Sequence, residues 1–298
     1  MSLQVQNVSK KFGEKLAVND ISFEVSEPGV FGLLGTNGAG KTTTIRMILN
    51  IVKKDSGSIM WDNKPVERQI INFGYLPEER GLYPKVKVTE QLMYFASLRR
   101  ISAAKAKKDI SYWLERMEAS QYANMAAEKL SKGNQQKIQF IASILHDPDL
   151  IFMDEPFSGL DPVNTELFKS VIHELISKEK YIIMSSHQMS TVEEFCRDIV
   201  ILKNGNTVLN GNLKKIKHSY GRNNLLINSE GDIIELAAQE GITKVNTTAA
   251  GYEFKISNEE QAYRLLEKIL SKRLVLDKFE IREPSLHEIF IEKAGEAK

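Results

Sequence analysis

Up to about Lys214, short apolar runs alternate with longer stretches whose apolar positions recur every three or four residues. Gly29–Gly35, Ile71–Pro77, Leu150–Asp154, Tyr181–Ser186 and Asp198–Lys203 are apolar on nearly consecutive positions. That is the pattern of strands buried on both faces of a parallel sheet. Thr89–Arg99, Lys105–Glu118 and Asn164–Lys178 carry the helical period between them. Leu3–Val8, Leu16–Val25 and Gly57–Trp61 predict the strands of a smaller antiparallel lobe. The alternation of strand and helix makes the expected class α/β, with a parallel core sheet.

After the polar stretch Lys214–Asn224 the pattern changes. Strand (Asn224–Asn228), helix (Asp232–Gln239), strand (Ile242–Thr247), strand (Gly251–Ile256), helix (Glu259–Ser271) and strand (Val275–Arg282) follow, with a last helix over Leu286–Ala294. The βαββαβ order predicts a smaller α+β, ferredoxin-like domain. The expected domains are therefore residues 1–217 and 218–298. Alternation over Tyr252–Ile256 and the spacing of Ala262, Leu265, Leu266 and Ile269 indicate a small packed core in the second. No phosphate loop, carboxylate pair or metal-spaced cluster occurs after Lys214, so this domain is expected to be accessory.

Composition narrows the class. Lys and Arg total 40 against 39 Asp and Glu, which gives no support to nucleic-acid binding by bulk charge. Cys196 is the one cysteine, which excludes an internal disulfide and points to a reducing compartment. The first residues lack the apolar core of a secretory signal. No window approaches the ~18–20 apolar residues that span a bilayer. A role at a membrane would require another chain to supply the membrane part.

Gly35-Thr36-Asn37-Gly38-Ala39-Gly40-Lys41-Thr42 fits the phosphate-loop pattern G-x-x-x-x-G-K-[ST], with an apolar strand entering and a helix leaving. Its glycines let backbone N–H groups surround phosphates, and the helix N-terminus favours anions. Lys41 can reach the β- and γ-phosphates, Thr42 can ligate Mg²⁺, and Thr43 continues the loop into the helix. Asp154 and Glu155 close the run Leu150–Asp154 at the end where α/β sheets place ligands. Asp154 is expected to hold Mg²⁺ and Glu155 to polarise the attacking water. ATP and Mg²⁺ are the expected cofactors.

Four further segments complete a pattern. Leu130-Ser131-Lys132-Gly133-Asn134-Gln135 lies upstream of the carboxylates, Ser158-Gly159-Leu160-Asp161 follows them, His187 ends YIIMSSH, and Phe12 precedes the loop. In this order the motifs resemble those of the ABC ATPase family, over nearly all of the first domain. The resemblance implies a P-loop cassette with a parallel core sheet, a small antiparallel lobe and a helical subdomain. It implies that Phe12 stacks on adenine, that His187 contacts the γ-phosphate beside Glu155, and that Ser131, Gly133 and Asn134 form the signature. That signature would meet ATP held by a second copy or a homologous cassette, so that binding closes a head-to-tail dimer. Three positions, in two motifs, depart from the family pattern. Lys132 and Asn134 replace the usual Gly and Gln, and Glu78 in GYLPEERGLYP replaces a Gln that contacts Mg²⁺ and couples to the membrane subunit. Glu78 can ligate Mg²⁺ but, ionised, cannot donate a hydrogen bond.

The resemblance implies an ATP-hydrolysing subunit, peripheral on the inner face of the cell membrane, that powers a separate permease. The tail EPSLHEIFIEKAG is similar to that of bacterial exporters of the sodium-extrusion and multidrug-export branch. The competing reading is a soluble ABC ATPase of translation or DNA repair. The 87 residues between Thr42 and Leu130 leave no room for a repair-type coiled coil, and only one phosphate loop is present. A P-loop kinase is disfavoured by the signature. The appended domain either stabilises and tunes the dimer or is a passive module.

Overall fold

The computed structural model describes residues 1–68, 71–79, 81–231, 233–248 and 250–296. The chain divides into two compact units, Met1–Asn210 and Gly211–Lys298. The first contains β1 (Leu3–Phe12), β2 (Lys15–Val25), β3 (Gly29–Gly35), α1 (Lys41–Ile48), β4 (Ser56–Trp61), β5 (Lys64–Pro65), β6 (Phe73–Leu76), α2 (Val88–Leu98), α3 (Ala103–Arg116), α4 (Lys132–Ile144), β7 (Leu150–Asp154), α5 (Pro162–Ser177), β8 (Tyr181–Ser186), α6 (Met189–Phe195) and β9 (Cys196–Lys203). Strand β10 (Asn206–Asn212) runs across its end.

The five apolar runs become β6, β7, β8, β3 and β9 of one sheet, ordered β10-β9-β3-β8-β7-β6. The pairings β6–β7, β7–β8, β8–β3 and β3–β9 are all parallel. Strand β7 is buried at every position, because a parallel sheet is covered on both faces. The antiparallel lobe is a second sheet, ordered β2-β1-β4-β5. Its apolar face shares one core with the parallel sheet: Leu3, Val5, Phe23 and Ile59 pack with Phe31, Leu33, Phe152 and Ile183, and Ile45 of α1 joins them. Phe23 stacks on Phe31 at 5.0 Å, and Trp61 meets Tyr181 edge-on at 5.3 Å. Helices α2, α3 and α4 form the helical subdomain, with Leu92, Ile110, Trp113 and Ile138 buried. Among the described residues no helix is long and apolar enough to cross a membrane.

The second unit runs α7 (Leu213–Ser219), β11 (Asn224–Ser229), α8 (Ile233–Gln239), β12 (Thr243–Thr248), β13 (Gly251–Lys255), α9 (Glu259–Ser271), β14 (Leu276–Arg282) and α10 (Leu286–Glu296). Asp232, the expected first residue of α8, lies outside the described residues. The sheet is ordered β12-β13-β11-β14 with antiparallel neighbours, the ferredoxin-like arrangement. Leu225, Ile227 and Phe254 pack against Ile233 and Leu236 of α8 and Ala262, Leu265 and Ile269 of α9. The polar stretch expected as a boundary carries α7, which Asn212 caps by accepting from Lys215 N at 3.2 Å. The two compact units meet between Asn210 and Gly211, a few residues before the expected boundary at 217/218, so α7 falls in the second unit.

Phe254 is 1 % exposed at the centre of the second core. Phe254→Ala should destabilise that unit by about 3–5 kcal/mol. Native-state amide exchange on the full chain should show the loss of protection confined to residues after Asn210.

Candidate nucleotide site

The site is assembled at the C-terminal ends of β3, β7 and β8, where a parallel sheet opens its crevice. Strand β3 ends at Gly35, and the loop 36–40 runs close to neighbouring backbone. A Cβ on Gly35 would lie 2.3 Å from the Leu202 carbonyl oxygen, and one on Gly40 would lie 2.7 Å from that of Ala17. Both residues have positive φ, 147° and 107°, so glycine is required twice over. Gly40 is the N-cap of α1, and no side chain caps the helix and no acid sits in its first turn. Its free N–H groups and dipole therefore present an anion site.

Lys41 is 6 % exposed. Its Nζ donates to the carbonyls of Gly35 at 2.8 Å and Thr36 at 3.3 Å, and stands 3.2 Å from Glu155 Oε1. A cavity of about 410 Å³ opens over it, lined by Phe12, Lys15, Ala17, residues 37–43, Glu78 and Glu155. Phe12 is 49 % exposed at the rim, with Lys10 Nζ 5.4 Å from its ring centre. Lys10 is in turn held by Asp55 at 2.7 Å. An exposed aromatic face beside a phosphate-sized anion site suits a planar base.

Asp154 and Glu155 are 1 % and 5 % exposed. Ser185, their neighbour on β8, donates to Asp154 Oδ1 and accepts from Glu155 N at 3.1 Å. Asp154 Oδ2 is buried without a hydrogen-bond partner. Glu155 adopts φ 50°, a turn out of the strand that is uncommon for a side-chain-bearing residue. The turn aims its carboxylate between Lys41 and His187, whose Nδ1 and backbone N lie 2.9 and 3.4 Å from Oε2. A buried carboxylate needs such partners. Among the described residues no group of three or more His, Cys, Asp or Glu could hold a metal ion. The orphaned Asp154 oxygen and the Thr42 hydroxyl on the cavity wall are nevertheless hard oxygen donors that fit Mg²⁺, which prefers few protein ligands alongside waters and phosphate. Glu78 is exposed on the cavity wall.

Ser131 caps α4, accepting from Asn134 N at 3.4 Å, and Lys132 beside it is exposed. Ser131, Gly133 and Asn134 are not among the residues that line the cavity. Gly133 faces α5 instead, where an added Cβ would sit 3.3 Å from Asn164 Nδ2. Asp161 caps α5, and the Asn164 N–H, at 2.9 Å, holds its carboxyl below the usual range. His146 bonds the Phe73 carbonyl at 2.9 Å, His173 packs on Phe195, and His218 meets Glu283. Burial pushes the Cys196 thiol far up, as befits a packing residue. Sequence reasoning missed Ser185, Lys15 and Ala17. The one available signal for Ser185 was a polar pair closing the otherwise apolar run YIIMSS.

A parallel sheet, a glycine loop on an uncapped helix and two carboxylates at the end of the next strand but one define a P-loop nucleotide-binding protein. A family model described as "ABC transporter" matches residues 18–158, and one described as "ATP-binding protein DrrA1-3-like, C-terminal domain" matches 211–294. The uncharacterized ABC transporter ATP-binding protein YhaQ of Bacillus subtilis (strain 168) is 48 % identical over 294 residues, covering 98 % of each chain. The linearmycin resistance ATP-binding protein LnrL of the same bacterium is 30 % identical over 305 residues, again covering 98 % of each. A solved structure of the ATP-binding subunit of an ABC transporter matches with TM-score 0.69 and 28 % identity, over 74 % of this chain and 94 % of that one. The chain belongs to the ABC transporter ATP-binding proteins, and it binds ATP.

Gly40→Ala should weaken ATP binding about tenfold or more, because the Cβ meets the Ala17 carbonyl and the residue must keep a strained φ. Titration with a fluorescent ATP analogue measures this. Wild-type affinity would show that the loop tolerates the displacement.

Proposed function

We propose that this chain hydrolyses ATP to power a membrane permease, with Glu155 as general base. The observation that carries this reading is the buried Glu155 carboxylate, held between Lys41 at 3.2 Å and His187 at 2.9 Å on the wall of the cavity. The loop N–H groups and Lys41 bind the β- and γ-phosphates, and Phe12 stacks on the base. Thr42 and Asp154 would hold Mg²⁺, and Glu78 lines the same cavity as Thr42. Mg²⁺, when bound, neutralises charge on the phosphate oxygens. A γ-phosphate competes with Glu155 for the Lys41 ammonium. Freed from that partner, the carboxylate is available to orient a water and take its proton, while His187 keeps hold of Oε2. Glu155→Gln preserves shape and removes basicity. It should retain ATP binding and lose turnover by about 10²–10⁴-fold, whereas Lys41→Ala should weaken binding itself. Phosphate-release assays beside nucleotide titrations separate the two, and near-normal turnover in Glu155→Gln would remove the base from this assignment.

Three observations support the wider reading. The signature residues stand at the N-terminus of a separate helix and do not line the cavity. They therefore reach a γ-phosphate only when it is presented by a second copy or a homologous cassette. An apolar groove of about 350 Å³, lined by Tyr75, Pro77, Leu82, Phe95 and Leu98 among others, is built on the loop that also carries Glu78. It offers the permease a seat mechanically joined to the cavity, on the inner face of the membrane. The resistance role in the name of one relative along the full chain favours export. Among its described residues the second unit carries no candidate metal group, and we read it as accessory. Glu155→Gln with ATP should run as a dimer in light scattering, and adding Ser131→Arg should return it to monomer. A strict monomer at high concentration, with hydrolysis linear in enzyme, would refute the two-copy site.

A further inference from the structure

We propose that Ser185 is the positioning residue that dedicates Asp154 to the metal and locks the turn carrying Glu155. The proposal rests on the Mg²⁺ reading given above. Parallel pairing of β7 with β8 sets Asp154 opposite Ser185, and Ser185 is fully buried at 0 % exposure. Two hydrogen bonds fix the direction of its hydroxyl. A backbone N–H can only donate, so the bond from Glu155 N at 3.1 Å uses Ser185 Oγ as acceptor. The single hydroxyl proton is then committed to Asp154 Oδ1. One oxygen of the carboxylate is occupied, and Oδ2 is left buried and without a partner.

A buried carboxylate oxygen with no hydrogen bond is costly to maintain. Left to itself, the group would rotate to share the Ser185 proton between its two oxygens. The Ser185 bond prevents this by pinning Oδ1. Because the Glu155 N–H fixes the serine in turn, Ser185 can follow neither carboxylate oxygen. The same hydroxyl holds Glu155 at its left-handed φ of 50°. One side chain thereby sets the relative positions of the group that holds the cation and the group that takes the proton.

Ser185→Ala removes the donor to Asp154 and leaves both of its oxygens unpaired. It should still fold, since Glu155 N keeps the Ser185 backbone carbonyl as acceptor at 3.2 Å. The test uses Mn²⁺ as the probe, with the full chain saturated by a non-hydrolysable ATP analogue and free Mn²⁺ followed by electron paramagnetic resonance. The Mn²⁺ dissociation constant of Ser185→Ala should rise about tenfold, with affinity for the analogue unchanged when no divalent cation is present. Ser185→Thr, which restores a hydroxyl, should recover most of the loss. Should Ser185→Ala prove insoluble, Ser185→Cys keeps the size with a weaker donor and should shift the constant in the same direction. A wild-type Mn²⁺ constant in Ser185→Ala or Ser185→Cys overturns the role of Ser185 alone. Failure of the unmodified chain to bind Mn²⁺ beyond what the analogue binds in solution removes the metal reading as well.

Discussion

The buried charge pairing of Lys41 with Glu155 is the constraint on which the rest of the site depends. Each side chain is about 6 % exposed, and the two charges stand 3.2 Å apart. Neither charge is easily kept in such a place alone. Pairing them ties the loop after β3 to the end of β7, although β8 lies between those strands in the sheet. A ligand that satisfied the ammonium would release the carboxylate, so under the proposed function the residue that binds phosphate and the residue that activates water form one electrostatic unit.

Around that pair the fold supplies rigidity at each point where the backbone does something unusual. Gly35 and Gly40 pass within contact of the backbone at Leu202 and Ala17, which braces the loop against both sheets. Glu155 leaves its strand in a left-handed conformation, supported by Ser185 from the next strand. His187 follows the same strand and reaches the same carboxylate. The chemistry is carried by three strand ends, and the antiparallel lobe contributes an aromatic face from the β1–β2 hairpin. Ser131, Gly133 and Asn134 of the helical subdomain do not line this cavity, and under the proposed function they would meet ATP held by a second cassette.

Most of the architecture is legible in the chain because buried parallel strands leave a strong trace. LIFMD and YIIMSS could hardly be anything else, and each ends on the residues that matter. The misses have physical reasons. Strand β1 continues past Val8 to Phe12 by pairing with β2, through polar residues that carry no alternation. Strand β10 is half-exposed along its length, and α7 is a lysine-rich turn anchored by Leu213. The phosphate loop and the carboxylate pair are readable because their chemistry demands particular residue types at fixed spacing. Ser185, the left-handed turn at Glu155 and the contact of Lys41 with Glu155 depend on strand order and backbone geometry, and periodicity does not encode these.

The solitary cysteine has a practical consequence. Cys196 packs beneath β3, where a Cβ on Gly32 would come within 3.0 Å of its sulfur, and burial keeps it in the unreactive thiol form. Alkylating reagents should therefore pass over the native chain. A thiol introduced on an exposed surface, such as the loop leading into α4, would be the sole target of a maleimide dye. Fluorescence reporters of nucleotide-driven approach between copies can then be installed without first stripping the protein of its own sulfur.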